Sequence, residues 1–460
     1  MQLSFIRAAC QAKPVGTPVV GDPVVTGVCT DSRKVKPGEL FAALSGPNFD
    51  GHDFIGAAVD KGCVAVLAER LPEEALPVPL LLVGDVLTAL GDAGRAWRRQ
   101  VAPVVIGVTG SSGKTTLKEL IAACLKERFS VVHATSGNLN NHIGVPLTLL
   151  AMPEHCQVAV IEMGMSASGE IAHLARLAEP SIGVVTNVQP AHMAAFASIQ
   201  AVAAAKGELY AHLPAAGVCV VPDFDANREI LLTLAGSRPV LRFGTDAPEA
   251  LRWQAHPSPD GARQGTILWP DGIHVEVNLG VCGPHMIQNA LAAAGVARVA
   301  GVGVEAIGRA IAGFQPLAGR GLALAGPQGW TIIDDTYNAN PGSMAAALAT
   351  LAARPAGRRV AILGDMLELG EQSAELHARL AEEIVRHAID VVLTAGPEMG
   401  ALHARLATLP GVCARHHHDP ANWSGSALQT WLQPGDAILV KGSRGMRMER
   451  IVKDLMNHAV

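Results

Sequence analysis

Apolar residues along the chain occur in short continuous runs, separated by stretches in which they return every three or four positions. Runs of about four to eight apolar residues bounded by glycine or proline read as buried strands, and the three-to-four spacing reads as helices with one buried face. Up to about residue 83 the pieces are short. "PVVTGVCTDSR" reads as strand-like, "DFIGAAVDKG" as helical and "CVAVLAE" as a strand, and the proline-rich "LPEEALPVPLLLV" marks a boundary. From 84 to 316 the helix-like "LTALGDAGRAWRR" leads into the apolar "PVVIGVTG". In the following "KTTLKELIAACLKERF", Leu117, Leu120, Ile121, Cys124 and Leu125 fall on one helical face. The runs "QVAVIEMG", "SIGVVTNV" and "GVCVVPD", with helical stretches between them, predict a parallel sheet. Residues 238–280 ("VLRFGT", "GTILWP", "IHVEVNLG") predict a small antiparallel insertion. From 317 to 460 the pattern cycles four times through strand, loop and helix, beginning at "GWTIIDD", "RRVAILGD", "DVVLTAG" and "DAILVKG". The prediction is an α/β protein of three domains: 1–83 small α/β, 84–316 a P-loop ATPase-like parallel sheet, and 317–460 Rossmann-like.

Composition narrows the classes. The chain has 460 residues, 49% hydrophobic and 17% charged, enough apolar material for several cores. A net charge of −5 without a basic tract argues against nucleic-acid binding. Eight scattered cysteines form no C-x-x-C pair, which argues against a zinc ribbon or redox motif. The most apolar stretch, "ALPVPLLLVGDVLTALG", is broken by prolines and Asp85, so no membrane span is expected. These features predict a reduced, soluble, cytoplasmic protein.

Candidate chemistry starts at residues 107–116, "GVTGSSGKTT". The Walker A pattern G-x-x-x-x-G-K-[ST] requires glycine at 108, where this chain has Val108. A glycine turn between a strand and a helix still gathers backbone N–H groups and a helix N-terminus around phosphate. Lys114 can reach terminal phosphates and Thr115 can offer a hydroxyl to Mg²⁺. Downstream, Glu162 follows one strand, His192 another, and Lys206 lies near the predicted start of a helix. A carboxylate at a strand end near such a loop can hold Mg²⁺. Taken singly, these read as a turn cap, a core histidine and a surface lysine. The run 415–419, Arg-His-His-His-Asp, reads as a polar loop.

The combination "TGSSGKTT…SGNLNNHIGVPLTLL…EMGMS…TNVQPAHM…KGE…GPHMIQNALAAA…DDTYNANPGSM…LGDMLELG…LVKGSRGMRME" resembles the Mur ligases, ATP-dependent amide-forming enzymes of peptidoglycan precursor synthesis. The resemblance runs from "TDSRKVKPGELFAAL" to the C-terminal motif. It implies a loop of form T-G-x-x-G-K-[ST], which Thr109, Gly110, Ser111, Ser112, Gly113, Lys114 and Thr115 fit, followed by Thr116. It further implies ATP phosphates on Lys114 and the loop amides, one Mg²⁺ at Thr115 and Glu162, and His192 at a second Mg²⁺. Lys206 matches a lysine that family members carry as a carbamate, an anionic oxygen ligand suited to Mg²⁺. Asn289 matches an asparagine near the adenine, with His285 in the same motif. Met286 replaces a second asparagine there, and Gln189 stands where glycine is common. Arg320 matches a phosphate contact from across the domain cleft, and Asp335, with Asp334 as its neighbour, a ribose contact. Asn338 and Asn340 share that turn. Lys441, Ser443 and Arg444 suit a carboxylate-binding corner for the incoming amine. Thr30, Asp31, Ser32 and Arg33 match a UDP-sugar contact segment.

The implied reaction activates a carboxylate by phosphoryl transfer from ATP and traps the acyl phosphate with an amine. The expected substrates are UDP-N-acetylmuramoyl-tripeptide and D-alanyl-D-alanine, with no nucleic-acid or membrane partner and a monomeric enzyme. The alternatives are a ligase adding a diamino acid to the muramoyl dipeptide and a folylpolyglutamate synthase-like ligase. The D-N-P-R stretch usual in the former is absent, and residues 1–83 argue against the latter.

Overall fold

Three main sheets carry the chain, each built where the apolar runs fall. The computed structural model describes all 460 residues except 17–20, 48, 191–194, 257–263, 281–282, 355 and 458–460. The N-terminal sheet has five strands in the order Lys13–Gly16, Pro79–Leu82, Ala65–Ala68, Leu40–Ala42, Val28–Cys29, parallel except for the first pair. The helix Val86–Val101 follows. Its start is fixed by Asp85, whose carboxylate accepts from the Thr88 N–H at 2.6 Å, a cap contributing about 1 kcal/mol. Its apolar face, including Ala89, Leu90, Ala93 and Trp97, is buried, and its core also contains Leu3, Leu40 and Leu67 of the N-terminal region and Ile161 and Tyr210 of the central region.

The central sheet has nine strands. Val104–Thr109 lies between Val158–Glu162 and Ile182–Val185, all parallel, so Glu162 is in register with Val108 and Val185 with Thr109. That register brings three strand ends to one place, outside the carboxyl edge where ligands of parallel sheets bind. The expected antiparallel insertion is only partly present. Val240–Phe243 runs parallel to Val218–Pro222 and extends the same sheet, because the helix Arg228–Ala235 carries the chain back across it. Only Ala250–Ala255, Gln264–Leu268 and His274–Asn278 are joined antiparallel, at that sheet's edge.

The C-terminal sheet has the order Leu322–Ala325, Thr331–Asp335, Ala437–Lys441, Arg359–Gly364, Val391–Ala395, Cys413–His417. The four predicted strands are present and mutually parallel where they pair. Two more flank them. Cys413–His417 is a parallel edge strand and not the polar loop expected for the histidine run. His417 packs edge-on against Trp423, with ring centroids 4.4 Å apart, and His416 stacks on His403; these contacts let a polar segment finish a sheet. Among the described residues no cluster of three or more His, Cys, Asp or Glu is arranged to hold a metal. Cys10, Cys29, Cys63, Cys124, Cys156, Cys219 and Cys413 are free thiols, and no described helix is long and apolar enough to cross a membrane.

Candidate active site

The strand Val104–Thr109 ends in the glycine turn, and the helix Lys114–Lys126 begins immediately after it. Two glycines make the turn possible. Gly110 has φ 146°, and a β-carbon there would stand 1.8 Å from Thr186 Oγ1. Gly113 caps the helix at φ 80°, with the Asn289 side chain packed over it. The neighbouring strand end braces the loop: Thr186 Oγ1 donates to the Ser112 carbonyl at 2.6 Å, and the Ser112 N–H donates to Asn187 Oδ1 at 3.1 Å. Lys114 folds back so that its ammonium donates to the Gly110 carbonyl at 2.8 Å. Burial lowers its pKa, Glu162 opposes the shift and Arg320 adds to it.

Glu162 is 1% exposed. One carboxylate oxygen accepts from Asn140 Nδ2 at 2.8 Å, and the other is buried without a hydrogen-bond partner. A desolvated carboxylate oxygen left unpaired is costly. With the buried Thr115 beside it on the cavity wall, this donor set fits a hard divalent cation such as Mg²⁺. Lys206 lies mid-helix in Ile199–Ala211 and not near its start, and it is 2% exposed and not the surface lysine its type suggests. Burial holds its pKa well below that of an ordinary lysine, and the charge on Lys114 pushes it the same way. His192 lies outside the described residues.

A cavity of about 490 Å³ separates the loop from the C-terminal sheet. The far wall carries Arg320, Asp335, Asn338 and Lys441. Arg320 stacks on the Tyr337 ring at 3.7 Å. Burial lowers its pKa, and Glu162, Tyr337 and Asp335 offset that shift. Asp334 points away from the cavity's chemistry: it accepts from the Gly319 N–H at 2.8 Å and from Thr336 Oγ1 at 2.6 Å, pinning the turn that presents Arg320. Asp335 is in register with Lys441, and the two side chains pair at 2.6 Å. Lys441 also donates to the Asn338 carbonyl at 2.9 Å, and its side chain is 2% exposed. The ammonium predicted to meet an incoming carboxylate is therefore engaged within the turn.

Family models match nearly the whole fold: Mur ligase family, catalytic domain at residues 24–123, Mur ligase middle domain at 108–297, and Mur ligase, glutamate ligase domain at 319–444. A UDP-N-acetylmuramoyl-tripeptide--D-alanyl-D-alanine ligase of Bacillus subtilis is 38% identical over 445 residues, covering 96% of this chain and 95% of the relative. This chain is a Mur ligase. MurF from Acinetobacter baumannii superimposes on the ligase with a TM-score of 0.88 at 31% identity, covering 99% and 98% of the two chains. MurF ligase from Thermotoga maritima, solved in complex with ADP, gives 0.81 at 29% identity, covering 95% and 98%.

The structure thus gathers Ser111, Ser112, Gly113, Lys114, Thr115, Thr116, Glu162, Asn289, Arg320, Asp335, Asn338 and Lys441 around one cavity of the ligase. Thr109 is fully buried beneath the loop, its hydroxyl unpaired. Ser32 and Arg33 are not on this cavity's wall. Arg33 is exposed on the N-terminal region and bonds Asp31 through Nε at 2.9 Å, which holds the Asp31 carboxyl down at about 2. Arg444 is also exposed, 5.6 Å above the Tyr337 ring and 3.7 Å from the Glu449 carboxylate. Met286 is 5% exposed and packs into the apolar core beside the cavity, so it gives the ligase an apolar wall at this point. Among the wall residues that the sequence reading did not single out are Asn140, Asn187, Phe224 and Tyr337. Asn140 and Tyr337 sit inside the quoted motifs "SGNLNNHIG" and "DDTYNANP"; nothing local distinguished Phe224.

Proposed function

We propose that the ligase joins D-alanyl-D-alanine to the carboxylate of UDP-N-acetylmuramoyl-tripeptide, using ATP and an acyl-phosphate intermediate. The observation that carries the chemistry is the cavity itself, with a phosphate-type loop and an unpaired Glu162 oxygen on one wall and Arg320 on the other. The choice of substrates rests on the full-length B. subtilis relative and its name. No feature of the fold favours a diamino acid or a folate substrate.

The ligase's own groups divide the work. Loop amides and Lys114 bind the phosphates; Lys114 exchanges its bond to the Gly110 carbonyl for the transferred phosphoryl group, where positive charge is needed as the bond breaks. Arg320 supplies a second positive charge from the opposite wall. Asp335, fixed by Lys441, accepts from the ribose. Glu162 and Thr115 would hold Mg²⁺, which when bound would shield the phosphates from the negative carboxylate nucleophile. Its depressed pKa keeps Lys206 closer to the neutral amine that reacts with CO₂, so a carbamate there is part of the proposal. The N-terminal domain, 1–83, holds the UDP end through Ser32 and Arg33. The middle domain, 84–316, holds phosphate, and the C-terminal domain, 317–460, the adenosine and the amine. We place the enzyme in the cytoplasm, as a monomer.

Purified enzyme supplied with ATP, Mg²⁺ and UDP-muramoyl-tripeptide should release phosphate in step with D-Ala-D-Ala consumption. Turnover with a diamino acid and the dipeptide substrate, and none with D-Ala-D-Ala, overturns the assignment. A ¹³C signal from labelled bicarbonate on wild-type enzyme, absent in Lys206→Ala, tests the carbamate.

A further inference from the structure

Gln189 follows the strand Ile182–Val185 and reaches across the domain boundary. Its main chain is locked to the phosphate loop, since the Ser111 hydroxyl donates to the Gln189 carbonyl at 2.9 Å and accepts from its N–H at 2.9 Å. Its side chain continues the contact. The Ser112 hydroxyl donates to Gln189 Oε1 at 3.0 Å and accepts from Asn340 Nδ2 at 3.1 Å. Asn340 belongs to the other domain, where it caps the helix Pro341–Ala352 and accepts from the Ser343 N–H at 2.8 Å. The donor directions are consistent along the whole line, from Asn340 to Ser112 to Gln189. The fit is steric as well as polar: a β-carbon on Gly342 would stand 2.3 Å from Gln189 Oε1 and 2.5 Å from Cδ. The Gln189 amide therefore rests in the space that glycine leaves at the second residue of the helix.

We propose that Gln189 is a positioning residue, seating the C-terminal domain on the phosphate loop so that the cavity shuts around the reacting groups. Its side chain lies on the cavity wall and contacts Ser112 and the start of the helix at Gly342. It sets the distance at which the turn bearing Arg320 faces Lys114 and Glu162. Resting on the ligase reading above, the proposal predicts what a loose seat permits. Water then attacks the acyl-phosphate carbonyl in place of the amine, the carbon–oxygen bond to phosphate breaks, and the original carboxylate and free phosphate are returned. ATP is spent without an amide.

Three variants test this: Gln189→Gly, Gly342→Ala, and the two combined. Gly342→Ala introduces a methyl group that only the far end of a flexible side chain must avoid, and alanine favours the helix, so the fold should survive. In each variant the ratio of phosphate released to amide formed should rise about threefold or more above the wild-type ratio. The double variant should exceed the larger single effect by little, because both changes remove one contact. X-ray scattering of the ADP-bound enzymes should show a larger radius of gyration in the variants at unchanged thermal midpoint. An unchanged ratio with unchanged scattering in both single variants overturns the proposal. If wild-type enzyme forms no amide with D-Ala-D-Ala, the substrate assignment fails, and the scattering comparison alone then decides the role of Gln189.

Discussion

The two walls of the cavity are built on different principles. On the central wall the two charged groups keep bonding capacity in reserve. Glu162 keeps a buried oxygen without a partner, and Lys114 bonds chiefly to a carbonyl of its own loop. On the C-terminal wall the charges are spent on each other: Lys441 on Asp335 and Asn338, Asp334 on Gly319 and Thr336. In the proposed reaction the wall with open valences receives phosphate and metal. A wall with closed ones holds shape, and presents Arg320 and one face of Asp335 at fixed positions. Preorganisation of this kind avoids rearrangement at the moment of reaction.

The sharpest way to break that contrast is to remove the unspent cation. Lys114→Ala should lower turnover by about 10³-fold or more with little change in folding, because the ammonium is reserved for the transition state; phosphate release and a melting curve measured together check both halves. The same depressed pKa fixes the sign of an alkaline limb. Lys114 in the free enzyme loses its proton below the ordinary lysine value of 10.5, so kcat/KM for ATP, which reports the free enzyme, should fall with rising pH before that point.

Gly110→Ala attacks the central wall's shape in place of its charge. With φ at 146° and Thr186 at 1.8 Å from the new carbon, the substitution should cost about 3–4 kcal/mol, read by denaturant unfolding. On the closed wall, Lys441→Met leaves the largely buried Asp335 without its partner. Breaking a buried pair costs about 3–5 kcal/mol, and the 22% exposure of Asp335 reduces the expected loss to about 2–3 kcal/mol. If Lys441→Met instead proved as stable as wild type and only lost turnover, the distinction between the walls would fail. The smallest effect belongs to Arg33, exposed and paired only locally. Arg33→Ala should leave the thermal midpoint unchanged while raising the KM for the UDP-linked substrate, measured by steady-state kinetics.

The open wall was far more legible in the sequence than the closed one. Gly110, Gly113, Lys114 and Thr115 lie within one local turn, and local chemistry leaves local signals. Glu162 could be placed at a strand end because its run of apolar residues is uninterrupted. The pairing of Asp335 with Lys441 spans 106 residues and exists only through strand register, so Lys441 read as part of a corner for an incoming carboxylate. Lys206 read as a surface residue because burial of a lysine depends on the surroundings that the tertiary fold supplies. The histidine edge strand was missed for a related reason: its apolar character comes from Trp423 and His403 packing onto it, not from its own residues. The parallel strand Val240–Phe243 was grouped with the antiparallel edge because its own run is too short to reveal its direction.

The distribution of apolar packing has a consequence for product escape. One buried cluster binds the N-terminal region to the central sheet, whereas among the described residues none joins residues 1–314 to 330–455. The seam between them is held through groups such as Ser112, Gln189 and Asn340, which water can satisfy once they separate. Opening therefore exposes little oily surface, and the departing ADP, phosphate and peptide leave through a door whose hinges are already wettable.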